Sequence, residues 1–181
     1  RRGNSNTIKH LDGCDSDSAN DMAEHFAKSF TTVFTEDDGK CSMPTGRTVK
    51  QHSGIQIERK GVLKQLQSLD AKKGAGPDGI SPALLKYLAC FIYDPLTKLY
   101  QYSLDSGTVP SDWRRANVVP IYKKGSRGDA LNYRPISLTC ILSKILEHII
   151  SHDLNNYFEQ HTLLSDCQHG LRKGRGCDTQ L

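Results

Sequence analysis

The chain has 181 residues, 36% hydrophobic and 24% charged, with a net charge of +4 and a mean hydropathy of −0.53. No stretch approaches the roughly 20 apolar residues of a membrane span, and no charged-then-apolar leader follows Arg1, which speaks against membrane insertion and secretion. The expectation is an intracellular protein of the nucleus or cytoplasm, with one ordinary domain plus at most an appendage.

Charge is unevenly spread. Residues 1–60 hold nine Lys/Arg against nine Asp/Glu, whereas residues 111–181 hold ten against seven and four of the seven histidines. A mild basic surplus toward the C-terminal end is compatible with nucleic acid without being diagnostic of it. The six cysteines are scattered with no CxxC and read as reduced thiols. Cys90 and Cys140 fall inside apolar helical patterns, where a free thiol acts as a small hydrophobe. The first residue is Arg1 and the last Leu181, which reads as a piece of a longer protein.

Residues 1–14 carry no pattern and are expected to be disordered. Asp15 to Ser18 offer N-caps for a helix at about 18–34, with Met22, Phe26, Phe30 and Val33 at helical spacing. Residues 35–54, with Gly39, Pro44, Gly46 and Gly54, read as a linker. The spacing of Val62, Leu63, Leu66 and Leu69 predicts a helix at about 58–69. Gly74 to Gly79 forces tight turns; it lacks the Gly-Lys-Ser/Thr ending of a phosphate loop.

Ser81 and Pro82 then open a third helix, with Leu84, Leu85, Leu88 and Phe91 on its apolar face. Pro95 is expected to open the next, with Leu96, Leu99, Tyr100 and Leu104 inward and Gly107 as its end. Asn117 to Tyr122 reads as a strand held to a sheet edge by Pro120. A basic turn from Lys123 to Asn132 leads to a returning strand from Arg134 to Leu138. A helix at about 140–158 follows, with Ile141, Leu142, Ile145, Leu146, Ile149, Leu154 and Phe158 as its apolar face, and residues 159–181 read as an irregular, basic, Gly-rich tail.

The sharpest chemistry lies in residues 109–138. A hairpin tip bearing Lys123 and Lys124, with Arg134 just behind it, offers mobile point charges and a rigid guanidinium fork suited to phosphate oxygens. Tyr133 has a ring suited to stacking on a base or sugar, and Trp113 reads as core. On pattern alone the same segment reads more simply as a solvated hairpin with ordinary surface charge, since lysine pairs are common at turns. In the tail, Arg172, Lys173 and Arg175 are interleaved with Gly174 and Gly176, a pattern suited to sequence-independent backbone contacts or to a simple basic end. The acidic run Glu36-Asp37-Asp38 reads as solvated linker.

Gly107, Pro110, Trp113, Arg114, Ala116, Val118, Pro120, Ile121 and Lys123 to Gly125, followed by Asn132 to Leu138, resemble the first fingers motifs of non-LTR (LINE-like) retrotransposon reverse transcriptases. Gly76 to Ile80 with Leu84-Leu85-Lys86, Ser143 to Glu147 and Gln168 to Arg175 resemble further motifs of that family, in the same order, over about residues 57–181. Leu171 stands where the family usually has Phe, and Gly176 where it often has Ser or Thr.

The resemblance implies an α+β, predominantly helical fold: a polymerase fingers fragment with a small antiparallel hairpin at 57–181, behind an N-terminal extension at 1–56. It implies that Lys123, Lys124 and Arg134 contact the triphosphate of an incoming deoxynucleotide, and that Gln168, Arg172, Lys173 and Arg175 lie along the RNA template and DNA primer. In the family, Mg²⁺ is held by aspartates that follow these motifs; this chain reaches Leu181 before them. The expected parent activity is target-primed RNA-directed DNA synthesis together with the remainder of the polypeptide, with no catalytic or metal-binding residue in this stretch. The rivals are a nucleic-acid-binding module without catalysis, a decayed relic without activity, and a zinc protein using His148 and His152 with His161, Cys167, His169 or Cys177.

Overall fold

The computed structural model describes residues 8–9, 15–16, 18–35, 39, 52–170, 172, 174–176 and 178. The run Glu36-Asp37-Asp38, Lys173 and most of the expected linker lie outside these residues, as does most of the segment expected to be disordered. Contrary to that expectation Ile8–Lys9 (β1) is a strand, and it pairs antiparallel with Asp15–Ser16 (β2) just beyond the segment. The helices are α1 (Ala19–Thr31), α2 (Arg59–Gln67), α3 (Pro82–Tyr87), α4 (Ala89–Ser106) and α5 (Ile141–Gln160). Between α4 and α5, β3 (Ala116–Tyr122) and β4 (Tyr133–Thr139) form a two-stranded sheet. Among the described residues no helix is long and apolar enough to cross a membrane.

The chain groups into two compact units that do not follow chain order: Arg1–Pro44 with Ala116–Leu138, and Thr45–Arg115 with Thr139–Leu181.

In the first unit, Ser18 caps α1 by accepting from the Asp21 amide at 3.3 Å, as its short oxygen side chain allows. The helix stops at Thr31, so Val33, expected on its apolar face, lies beyond it and is exposed. Phe26 is buried against Ala130, flanked by Met22, Phe30 and Tyr133. Both strands of the hairpin are edges, so Pro120 and Pro135 are tolerated in them without breaking an interior ladder.

The second unit holds the larger core. Val62 and Leu66 of α2, Leu85 of α3, Ala89, Leu96 and Tyr100 of α4, Trp113, and Cys140, Ile141, Ile145 and Leu146 at the start of α5 pack together. Burying each large aliphatic side chain contributes about 1.5–3 kcal/mol. Tyr100 is fully buried; its hydroxyl donates to the Leu142 carbonyl at 2.7 Å and its ring meets Trp113 edge-on at 5.5 Å. Burial, with Cys140 nearby, pushes that hydroxyl's pKa well above its ordinary value, so it stays a donor. Burial likewise raises the Cys140 thiol, whose sulfur caps α5 by accepting from the Ser143 amide at 3.3 Å.

Two expectations fail around α3 and α4. Pro95 does not open a helix: α4 already begins at Ala89 and carries Pro95 inside it. The break falls at Leu88, which closes α3 through its amide to the Leu84 carbonyl at 2.9 Å and starts α4 by accepting from the Ile92 amide at 3.1 Å. Leu84 and Phe91, expected on one apolar face, are exposed, and Cys90, expected inside, is exposed too. Leu99, expected inward, is also exposed. The glycine turn before α3 packs tightly: a Cβ on Gly76 would lie 2.6 Å from the Cys140 Cα, so only glycine lets this turn approach the start of α5.

Tyr100→Phe is expected to lower stability by about 1 kcal/mol through the lost hydrogen bond, and Tyr100→Ala by about 3–5 kcal/mol through the cavity left behind. Urea unfolding followed by Trp113 fluorescence checks both.

Candidate nucleic-acid interface

The hairpin tip is folded rather than slack. The Lys123 amide donates to the Asn132 carbonyl at 2.8 Å, closing the strands. The Tyr122 hydroxyl donates to the Gly125 carbonyl at 2.6 Å, the Tyr133 hydroxyl to the Arg127 carbonyl at 2.9 Å, and the Asn132 amide group to the Ser126 carbonyl at 2.9 Å. Asp129 accepts from the Leu131 amide at 3.0 Å, setting a 3₁₀ turn at Ala130–Asn132. Gly125 sits at φ +91°, and a Cβ there would come within 2.8 Å of the Asn132 side chain.

Lys123, Lys124 and Arg134 are all exposed, and no described carboxylate forms an ion pair with any of them. A fourth cation, Arg127, lies over the Tyr122 ring at 5.1 Å; nothing in its spacing singled it out. Tyr133 does not present a free ring. It is half-buried, edge-on to Phe26 at 4.9 Å and to Tyr122 at 5.6 Å.

The tail residues are arranged otherwise. Arg172 grips Glu159 through Nε at 2.7 Å and Nη2 at 3.0 Å, and donates from Nη1 to the Ser165 carbonyl at 3.0 Å. Its side chain is only 10% exposed. Arg175 pairs with Asp166 at 2.8 Å and also donates to the Asp166 carbonyl. Gln168 is exposed and donates to the Gly170 carbonyl at 3.0 Å. Glu159 and Asp166 were missed from sequence: a pair thirteen residues apart, across a helix end, leaves no local signal.

Of the histidines proposed for zinc, His152 has another partner. His152 Nε2 lies 3.2 Å from the Asn156 amide nitrogen, and among the described residues no three His, Cys, Asp or Glu side chains converge as a metal site. His52, unremarked in sequence, meets Asp153 at 2.9 Å and accepts from the Gly54 amide at 3.1 Å, which pins the segment ahead of α2 to α5.

No protein-family model matches the chain. Over 128 residues, 70% of the chain, it is 32% identical to the probable RNA-directed DNA polymerase from transposon BS of Drosophila melanogaster. Over 130 residues, 71% of the chain, it is 29% identical to the RNA-directed DNA polymerase from mobile element jockey of the same organism. The chain spans 14% of the length of each of these relatives. Its motifs are thus those of a segment of an RNA-directed DNA polymerase. The chain belongs to the reverse-transcriptase family of non-LTR retrotransposons.

Two outcomes follow. Gly125→Ala is expected to cost about 1–2 kcal/mol, from the left-handed backbone and the close approach of Asn132, and to reduce hydrogen-exchange protection of the Lys123 amide. The hydrogen bond from Arg172 chiefly holds the Glu159 carboxyl below its ordinary value of 4.5. A depressed carboxylate contributes stability above its unfolded pKa and loses it as pH falls through the folded one. The Arg172–Glu159 contact should therefore be complete at neutral pH and open only below about pH 4.5, seen as loss of the slowly exchanging Arg172 Nε–H signal in a pH titration by NMR.

Proposed function

We propose that this chain is the nucleotide- and template-handling fingers segment of an RNA-directed DNA polymerase that carries out target-primed reverse transcription. In this reading it acts in the nucleus or cytoplasm with the remainder of its polypeptide. The observation that carries the reading is the ordered hairpin tip, whose Lys123, Lys124 and Arg134 are exposed and free of described carboxylate partners. Cations left uncompensated on a rigid turn suit a polyphosphate, because fixed positive charge stabilises the charge that develops on a departing pyrophosphate without reorganising. Arg134 supplies the rigid fork and the two lysines the mobile point charges.

RNA template and DNA primer would run along the basic tail, with Gln168, Arg172, Lys173 and Arg175 on the sugar–phosphate backbone. Contacts of this type are sequence-independent and weaken with salt.

Polymerases of this kind use Mg²⁺ held by carboxylates. The described residues do not fit that role: no three candidate ligands converge, and Asp129, beside the hairpin cations in sequence, is taken up by the Leu131 amide. No chemical step through the metal is assigned to this chain, and the carboxylates belong in this reading to the remainder of the polypeptide. Taken alone, the chain is a binding segment.

Lys123→Ala/Lys124→Ala/Arg134→Ala should weaken binding of a deoxynucleoside triphosphate at least tenfold, since one lost charge-assisted hydrogen bond is worth about 1.5–3 kcal/mol. Titration by equilibrium dialysis checks this, and unchanged affinity overturns the triphosphate assignment. Primer extension by the 181-residue chain with Mg²⁺ should yield no product; measurable synthesis would refute the non-catalytic reading.

A further inference from the structure

The ion pairs at the end of α5 are lopsided. The Arg172 side chain is nine-tenths buried while its partners Glu159 and Asp166 are 44% and 89% exposed. Arg175 is 28% exposed against the same Asp166. The cations are fixed and shielded, and the anions stand on the solvent side.

Glu159 meets Arg172 with both carboxylate oxygens, at 2.7 and 3.0 Å. That two-oxygen face is what a phosphodiester also offers to a guanidinium fork. Beside the pair opens a polar cavity of about 320 Å³, lined by His148, His152, Asn155 and Asn156 and walled by Glu159 and Arg172 themselves. The cavity leaves room next to the guanidinium for a sugar–phosphate unit, and its amides and imidazoles can hydrogen-bond a sugar or phosphate oxygen.

We infer that Glu159 and Asp166 are the resting occupants of a phosphate site built by Arg172 and Arg175, and that the backbone of a nucleic acid displaces them. The inference rests on the reading of this tail as a nucleic-acid contact and adds its regulation. The acids keep the two forks folded and oriented in the absence of nucleic acid. They also lower its affinity, because each phosphate has to replace a carboxylate already in place.

The test is binding of a mixed-sequence single-stranded RNA to the full chain at fixed salt. Glu159→Gln/Asp166→Asn should tighten binding about three- to tenfold, the range expected from releasing ion pairs whose carboxylates stand in solvent. Glu58→Gln/Asp105→Asn changes net charge equally without touching the arginines, and should give a distinctly smaller gain. Adding Arg172→Ala/Arg175→Ala to the first variant should abolish its gain. Glu159→Gln alone, with unchanged circular dichroism, guards against unfolding of the double variant. A gain equal to the control, or a loss, overturns the displacement while leaving RNA binding intact. No RNA binding by the unaltered chain, or binding indifferent to both arginines, overturns the nucleic-acid reading itself.

Discussion

The second unit depends on what happens at the first turn of α5. Tyr100, wholly buried, delivers its hydroxyl to the Leu142 carbonyl, and Gly76 brings the glycine turn against the backbone of Cys140. A buried hydroxyl without a partner would cost about 1–3 kcal/mol, so α4 and α5 are held in one register rather than merely pressed together. Trp113 closes the same junction from the segment after α4. Three elements far apart in the chain are thus tied to one helix start, and the rest of α5 inherits its direction from it.

That direction matters at the other end of the helix. Glu159, in the last turn of α5, anchors Arg172, and Asp166 anchors Arg175. A tail with Gly170, Gly174 and Gly176 has little intrinsic order, since glycine loses the most conformational freedom on folding. Two charge-assisted contacts give the described part of it a defined path. The hairpin of the first unit uses a different device, neutral hydrogen bonds from Tyr122, Tyr133 and Asn132 into the turn. Its lysines and Arg134 are thereby left free of structural duty. Among the described residues one set of cations has no carboxylate partner and the other is internally compensated, which is the physical basis for giving them different roles.

Much of the helical layout was legible because it rests on local rules. Ser18 and Ser81 cap as short oxygen side chains do, Gly107 ends α4 in the left-handed conformation, and Val62 and Leu66 recur at helical spacing and are buried. The α3–α4 junction was not legible. Pro95 is a strong local signal for a helix start, yet packing of Ala89, Leu96 and Tyr100 into the core carries the helix through it at the loss of one backbone bond. Leu84, Phe91 and Leu99 look like core in sequence and face solvent, while Leu85, Leu96 and Tyr100 on the same two helices supply the buried contacts.

The sequence by itself determined the kind of element at almost every described position, the cationic character of the hairpin and tail, and, through motif order, the family. These follow from residue type and short-range spacing. Tertiary structure alone decided which cations are available. Lys123, Lys124, Arg134, Arg172 and Arg175 are indistinguishable as charges in the sequence. Only the fold sets Glu159 against Arg172 and Asp166 against Arg175, while no described carboxylate pairs with the hairpin cations. Electrostatic compensation depends on distances of a few ångströms between residues remote in the chain, and no local pattern encodes those.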